Sequence, residues 1–333
     1  MNYIGSKQRL LPFIKSTIHN VAGDDLSNKV ICDLFAGTGI VGRGFKEEAK
    51  SIIANDYEFY SYVLNRNYIG NHKAIDNGEE LIGTLKITQP IEGFIYSNYC
   101  RSGHGDRQYF SDENGKLIDG IRTQIEAWYK DKFIDSNSYY FLLASLLESA
   151  DKVANTASVY GAYLKQLKKT ASKKIELVPA NFKLTDSKHT VYNEDSNTLI
   201  SKIEGDILYL DPPYNARQYG ANYHLLNTIA LYDNFEPKGK TGLRAYNKSQ
   251  YCSKRTVLQA FEELIAKANF KYIFLSYNNE GLMTVEEVRA IMSKYGTYDL
   301  ASTEYQRFKA DKTENRNHLA SKTEEFLHIL EKQ

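Results

Sequence analysis

Residues 30–42 read Val30-Ile31-Cys32-Asp33-Leu34-Phe35-Ala36-Gly37-Thr38-Gly39-Ile40-Val41-Gly42. The run 30–35 is short and apolar, as suits a strand buried on both faces of a parallel sheet. Gly37, Gly39 and Gly42 then satisfy G-x-G-x-x-G between that strand and a helix starting near Ile40. Such a turn lets the backbone approach a ligand, and an acid ending the next strand can hold ribose hydroxyls. Asp56, at the end of 51–56 (SIIAND), occupies that place. The pattern specifies an adenosine-containing cofactor on a doubly wound sheet and leaves two candidates. Asp33 discriminates between them. An acid just before the turn repels the pyrophosphate of NAD, but it can accept charge-assisted hydrogen bonds from the ammonium of S-adenosylmethionine (SAM). SAM is favoured, with an NAD-dependent oxidoreductase as the alternative.

Outward from this turn, helices are predicted at 10–22, with Pro12 in the first turn, and at 58–68. The alternation then breaks. Residues 71–115 are rich in Gly, Asn, Ser and Asp and read as loops with short strands, while 117–130 and 138–168 have helical spacing. Strands are expected again at 190–193 and 206–214, a helix at 222–232, a strand at 271–277 and a helix at 285–294. Final strands fall at 298–305 and 325–331. The expected fold is α/β: a Rossmann-like mixed sheet with helices on both faces, built from 1–84 and 186–333. A mainly helical insertion, 85–185, interrupts it.

The second motif is Asp211-Pro212-Pro213-Tyr214, directly after the apolar stretch 206–210 (DILYL). An exocyclic amine such as adenine N6 is a poor nucleophile because its lone pair is delocalised into the ring. Two acceptors against its N–H groups localise that pair, and the Asp211 carboxylate and Pro212 carbonyl can be those acceptors. Pro212 and Pro213 stiffen the turn, and Tyr214 offers a face for a flipped planar base. This is preorganised electrostatics more than strong base catalysis.

With both motifs in this order, the chain resembles the Dam-like (alpha-group) DNA adenine-N6 methyltransferases. The run 211–219 (DPPYNARQY), followed by Asn222-Tyr223-His224, is similar to the FokI-type subset. Residues 2–7 (NYIGSK), with Leu10-Leu11-Pro12, resemble the family's first SAM-binding motif, and 85–185 lies where its target-recognition region stands. The resemblance implies a SAM-dependent enzyme that flips adenine from duplex DNA and methylates N6, in a restriction-modification system with a cognate endonuclease. It implies that Lys7 pairs with the SAM carboxylate and Tyr3 lines that pocket. Asp33 would meet the methionine ammonium, and Phe35, Gly37 and Gly39 would wrap the methionine and ribose. Asp56 would bind the ribose hydroxyls, and Asp195 would accept from the SAM adenine amine, with Glu194 and Asp206 as nearby alternatives. Since D-P-P-Y also occurs in enzymes acting on RNA, an RNA methyltransferase is a further alternative, as is a DNA-binding subunit without turnover.

The 42 Lys+Arg nearly cancel the 41 Asp+Glu, so any attraction to DNA is local. Residues 237–255 contain Lys238, Lys240, Arg244, Lys248, Lys254 and Arg255 and no acid, starting 23 residues after Tyr214. A second tract holds Lys165, Lys168, Lys169, Lys173 and Lys174, and a third Arg307, Lys309, Lys312 and Arg316. Base reading is assigned to the loop 101–109 (RSGHGDRQY). There Arg101 and Arg107 suit guanine and Gln108 suits adenine. Trp128, spaced helically with Ile121 and Ile125, reads as core, and His224 as a packed histidine.

The length allows one large domain or two moderate ones. Neither a run of 18 apolar residues nor a secretion-signal core is present. Cys32, Cys100 and Cys252 form no disulfide or zinc pattern, so no metal and a reduced cytoplasm are expected. A monomer or weak dimer is expected. Of 26 tyrosines, seven lie within 209–251: Tyr209, Tyr214, Tyr219, Tyr223, Tyr232, Tyr246 and Tyr251. Only Tyr214 receives a role from the sequence, stacking.

Overall fold

The computed structural model describes residues 5–306 and 322–333. Tyr3 and the third basic tract lie outside the described residues. The strands are β1 (Val30–Asp33), β2 (Ser51–Asn55), β3 (Thr190–Tyr192), β4 (Glu204–Leu210), β5 (Asn269–Asn278), β6 (Gly296–Gln306) and β7 (Lys322–Lys332). The helices of the first half are α1 (Leu11–Ala22), α2 (Ile40–Phe45), α3 (Phe59–Asn65), α4 (Gly78–Lys86), α5 (Phe94–Tyr99), α6 (Asp112–Lys130) and α7 (Ser136–Val153). Those of the second are α8 (Ser196–Leu199), α9 (Tyr219–Asn222), α10 (His224–Leu231), α11 (Val257–Lys267) and α12 (Val285–Met292).

The chain forms two compact units. The first, Ser6–Tyr57 with Thr185–Gln218 and Lys248–Gln333, contains every described strand. They make one sheet in the order β3-β2-β1-β4-β5-β7-β6. Strands β1 to β5 pair in parallel, and β7 runs antiparallel to both β5 and β6. Strand order reverses between β1 and β4, and a doubly wound sheet opens its ligand crevice at the carboxyl ends of the strands flanking such a point. One face buries Cys32, Leu208, Leu210, Ile273 and Leu275 against α8, α11 and α12. On the other, α2 packs against β1 and β2 and α1 against α2, burying Ile14, Ile18, Val41 and Phe45. The α/β mixed sheet is therefore as expected. Pro12 lies in the first turn of α1, where its missing N–H costs nothing. Helix α11 went unnoticed in the sequence, although Val257, Ala260, Phe261, Leu264 and Ile265 make a regular apolar stripe.

The second unit, Glu58–Leu184 with Tyr219–Asn247, is wholly helical among its described elements. It extends beyond 85–185 because Tyr60, Val63 and Leu64 of α3, and Leu225, Leu226 and Ile229 of α10, enter the same apolar core as α6 and α7. Two expectations are corrected here. The stretch 71–115 contains α4 and α5 rather than strands. The helix expected to run to 168 stops at Val153. Beyond it, the buried Asn155 side chain donates to the Gln108 and Leu164 carbonyls, both at 2.9 Å, and accepts from Lys168 N at 3.0 Å, fixing an irregular segment instead. Ile121 and Ile125 are buried as expected, and Trp128 packs at the edge of that core.

Much of the tyrosine excess is structural. Tyr99, Tyr109, Tyr160 and Tyr223 are fully buried around His224. Their hydroxyls are satisfied locally: Tyr109 donates to the Tyr160 carbonyl at 2.7 Å and Tyr160 to Asp151 at 2.9 Å. His224 is packed, its Nε2 3.0 Å from the Tyr160 carbonyl, and burial lowers its pKa to about 4. The three cysteines are buried, and among the described residues none forms a disulfide.

Candidate active site

Parallel strands end together, so the chemistry-bearing residues that follow β1, β2, β3 and β4 collect along one edge of the sheet. Asp33 pairs in register with Ala54 of β2 and Tyr209 of β4, which places the starts of the glycine turn and the D-P-P-Y turn side by side. Gly37 and Gly39 have φ of 52° and 75°, left-handed values that suit glycine. The tight turn leaves Gly37 N–H donating to Asp56 Oδ2 at 2.7 Å, while Gly42 N–H donates to Asp33 Oδ2 at 2.9 Å. Asp33 is only 2% exposed, and burial raises its pKa to about 7. A carboxyl so placed is primed for a cationic ligand, which would favour its ionised form.

Asn55, at the end of β2, connects the next acid to this edge. Its amide donates to the Leu34 and Glu194 carbonyls and its oxygen accepts from Glu194 N–H at 3.0 Å. The chain is thereby locked where β3 ends, one residue before Asp195. Asp195 caps α8, accepting from Thr198 N–H at 3.0 Å. Of its alternatives, Glu194 faces Lys202 at 2.5 Å. Asp206 accepts from Val30 N–H, at the opposite end of β1 and β4 from Asp33 and Asp211. The strand direction thus removes Asp206 from this edge. Beside the glycine turn, Phe35 meets the buried ring of Tyr251 edge-on at 5.1 Å, and Tyr251 donates to Asn197 Oδ1.

Lys7 lies in the single turn Lys7–Arg9 that leads into α1. It is 6% exposed, and its Nζ is 3.1 Å from Asp211 Oδ1 and 3.9 Å from Glu325 Oε1. Burial disfavours the ammonium, but Asp211 and Glu325 outweigh it and hold the lysine pKa above its ordinary value. Burial raises the Asp211 pKa and Lys7 opposes that shift. Lys7, expected beside a SAM carboxylate, is thus found on the D-P-P-Y acid. Pro212 is buried, and the Tyr214 carbonyl accepts from Leu282 N–H at 3.0 Å, tying the turn to the segment after β5. The following loop is anchored too, with Ser249 N–H donating to Gln218 and Cys252 Sγ to the Arg217 carbonyl.

Glu325 and Asn55 were missed in the sequence. Glu325 carried a signal, since it alternates with Leu327 and Ile329 and so shares the inward face of its strand. Asn55 carried none, because its role depends on β3 lying beside β2.

The basic residues divide by what they touch. Arg107 donates to the Asn98, Gly239 and Lys240 carbonyls at 3.0–3.2 Å. Arg244 forms a two-pronged pair with Asp233, both contacts 2.9 Å, and lies over Phe235. Lys168 donates to the Thr156 carbonyl, and Lys254 to the Leu282 carbonyl and Glu287. These four hold the fold, which counts against them as DNA contacts. Gln108 is half-buried. By contrast, Arg101, Lys165, Lys169, Lys238, Lys240, Lys248 and Arg255 are exposed. The tract 237–255 is itself divided, with 237–247 in the helical unit and 248–255 in the sheet unit.

A sheet of this order, with an acid before its glycine turn and D-P-P-Y after β4, defines a SAM-dependent enzyme acting on an exocyclic amine. Residues 3–291 match the D12 class N6 adenine-specific DNA methyltransferases, and the chain belongs to that family. It is 64% identical over 332 residues to the type II methyltransferase M.NlaIII of Neisseria lactamica, covering all of this chain and 99% of that protein. It is 40% identical to the type II methyltransferase M.FokI of Planomicrobium okeanokoites, with all of this chain matching 53% of that one. It is 38% identical to the type II methyltransferase M.CviAII of Paramecium bursaria Chlorella virus 1, with 93% of each chain covered. SAM is the methyl donor and duplex DNA the substrate. The NAD-dependent and RNA-directed alternatives fall with this membership.

Proposed function

We propose that the chain is the modification enzyme of a type II restriction-modification system and methylates a flipped adenine at N6 through Asp211, Pro212, Pro213 and Tyr214. The observation that carries the site assignment is the placement of Asp211, ion-paired to Lys7, at the same sheet edge as the buried Asp33. The residues along this edge fit SAM by their chemistry. Asp33 suits its ammonium, Asp56 its ribose hydroxyls and Asp195 its adenine amine, while Gly37 and Gly39 leave room for close approach and Phe35 flanks it. SAM supplies a methyl carbon already activated by positive sulfur.

The protein's part is to prepare the nucleophile. One Asp211 oxygen is engaged by Lys7, and the other makes no hydrogen bond among the described residues, so it can accept an N6–H. With the Pro212 carbonyl on the second N–H, the nitrogen lone pair localises and attacks in line. With SAM bound here, sulfur would keep the electrons of the broken bond to the methyl carbon, and the methylated nitrogen would give up one proton to the Asp211 carboxylate that accepts its N–H, and from there to water. Tyr214 supplies the stacking face. Within the helical unit, the segment 85–185 is the proposed target reader, with Arg101 and Gln108 as base contacts. Lys165, Lys169, Lys238, Lys240, Lys248 and Arg255 are proposed phosphate contacts. A cognate endonuclease, a cytoplasmic location and a monomer or weak dimer complete the reading. Among the described residues, no helix is long and apolar enough to cross a membrane.

Labelled SAM with plasmid DNA tests the reading. Asp211→Asn is expected to lower transfer at least about 10²-fold while calorimetry shows SAM still bound. Parental turnover in that variant overturns the role of Asp211.

A further inference from the structure

The sheet brings a third carboxylate to the D-P-P-Y acid. Because β7 is antiparallel, its first residues, not its last, reach the edge where β1 to β5 end. Glu325 stands opposite Asn278, the last residue of β5. It is 8% exposed; among the described residues its nearest cation, Lys7 Nζ, lies at 3.9 Å from Oε1, and Oε2 has no hydrogen-bond partner. This is an expensive way to fill space. A buried carboxylate without full hydrogen bonding is costly, and an apolar side chain of similar volume is commonly as stable or better. Glu325 therefore calls for a use.

We propose that Glu325 is a positioning residue for methyl transfer, acting through Lys7 on Asp211. This rests on Asp211 being the acceptor of the adenine amine. With Asp211 as its only partner, the Lys7 ammonium would centre on that carboxylate and draw electron density from both oxygens. With Glu325 on the far side, the ammonium is shared. Lys7 then orients Asp211 through Oδ1 without neutralising it, and the second oxygen stays a strong acceptor. Lys7 becomes a fixed spacer between two acids rather than a plain counter-ion.

The surroundings define a pH signature. Burial raises the Glu325 pKa to about 7, with Lys7 opposing and Asp211 reinforcing the shift. Tyr209 on β4 and Tyr214 also feel Glu325, and burial keeps both phenols protonated. His328 lies on the opposite face of β7, bonded to Tyr298. Asp33 titrates near pH 7 as well but acts through SAM binding, so saturating SAM removes it from kcat.

The test is kcat against pH, at saturating SAM and DNA, for the parent, Glu325→Gln and Glu325→Asp. In the parent, kcat is expected to fall as pH drops through about 7. Glu325→Gln is expected to lower kcat by about tenfold to a hundredfold, the scale of a misplaced reacting group. Its rate should be flat across that limb, with SAM affinity within about twofold of the parent. Glu325→Asp, which restores the charge, should recover part of the rate and the limb. Retained SAM binding shows that each variant is folded. A parental rate and limb in Glu325→Gln overturn the proposal, as does a lower rate with an unmoved limb. Parental turnover in Asp211→Asn instead overturns the underlying reading, so the two failures are distinguishable.

Discussion

At the scale of single residues, the site stores unfavourable electrostatics for later use. Asp33 is buried with one backbone N–H donor, and its pKa stands near 7 rather than 3.8. A group whose folded-state pKa is raised destabilises the folded chain as pH climbs from the unfolded value through the folded one. In SAM-free protein, Asp33→Asn should therefore raise stability at pH 8 by roughly 1–3 kcal/mol, and by less at pH 5. Asn can still accept from Gly42. The same change removes the partner of the SAM ammonium and should weaken SAM binding at least about tenfold. Thermal melts at the two pH values, with calorimetry for SAM, check both expectations. A variant destabilised at pH 8 would show that burial does not strain this carboxyl. The other buried acids of this edge, Asp211 and Glu325, differ in having a lysine within reach.

Elements explain what could be seen in the sequence and what could not. The turn 33–39 and the strand before D-P-P-Y were legible because they are local: apolar runs, glycines and prolines carry their own geometry. The Lys7 partnership was not, because it joins residues remote in sequence through the packing of a turn against the end of β4. The intramolecular partners of the basic residues were illegible for the same reason. Arg107 in the loop 101–109 and Arg244 in the tract 237–255 look like DNA contacts, yet Arg107 clasps the carbonyls of Gly239 and Lys240 and Arg244 pairs with Asp233. Nearby, Tyr99 donates to the Gly242 carbonyl at 2.7 Å. Arg107→Ala should therefore loosen the 238–243 turn and speed its cleavage in limited proteolysis. If the turn resists protease as before, the clasp is dispensable. The exposed lysines behave differently. Replacing Lys238, Lys240 or Lys248 by Ala should weaken DNA binding uniformly across sequences and reduce the salt slope by about one per residue. Arg244→Ala and Lys254→Ala should leave the slope unchanged. A slope that drops in Lys254→Ala would return that residue to the DNA contacts.

For the whole molecule, a net charge of +1 permits steep local fields. If the six proposed phosphate contacts engage together, the logarithm of DNA affinity should fall against the logarithm of salt with a slope of about −5. A slope near zero, measured by fluorescence anisotropy from 50 to about 200 mM salt, would count against those contacts. The reversed strand β7 has a consequence in time as well as in space. A ribosome delivers Lys7 early, Asp211 much later and Glu325 later still. Strands β1 to β5 are all synthesised before β7, so Glu325, the acid on the far side of Lys7 from Asp211, arrives only when β7 folds back between β5 and β6. In order of synthesis the Lys7–Asp211 contact therefore precedes Glu325, and the proposed positioning of Asp211 is complete only once β7, the last strand made, has paired with β5.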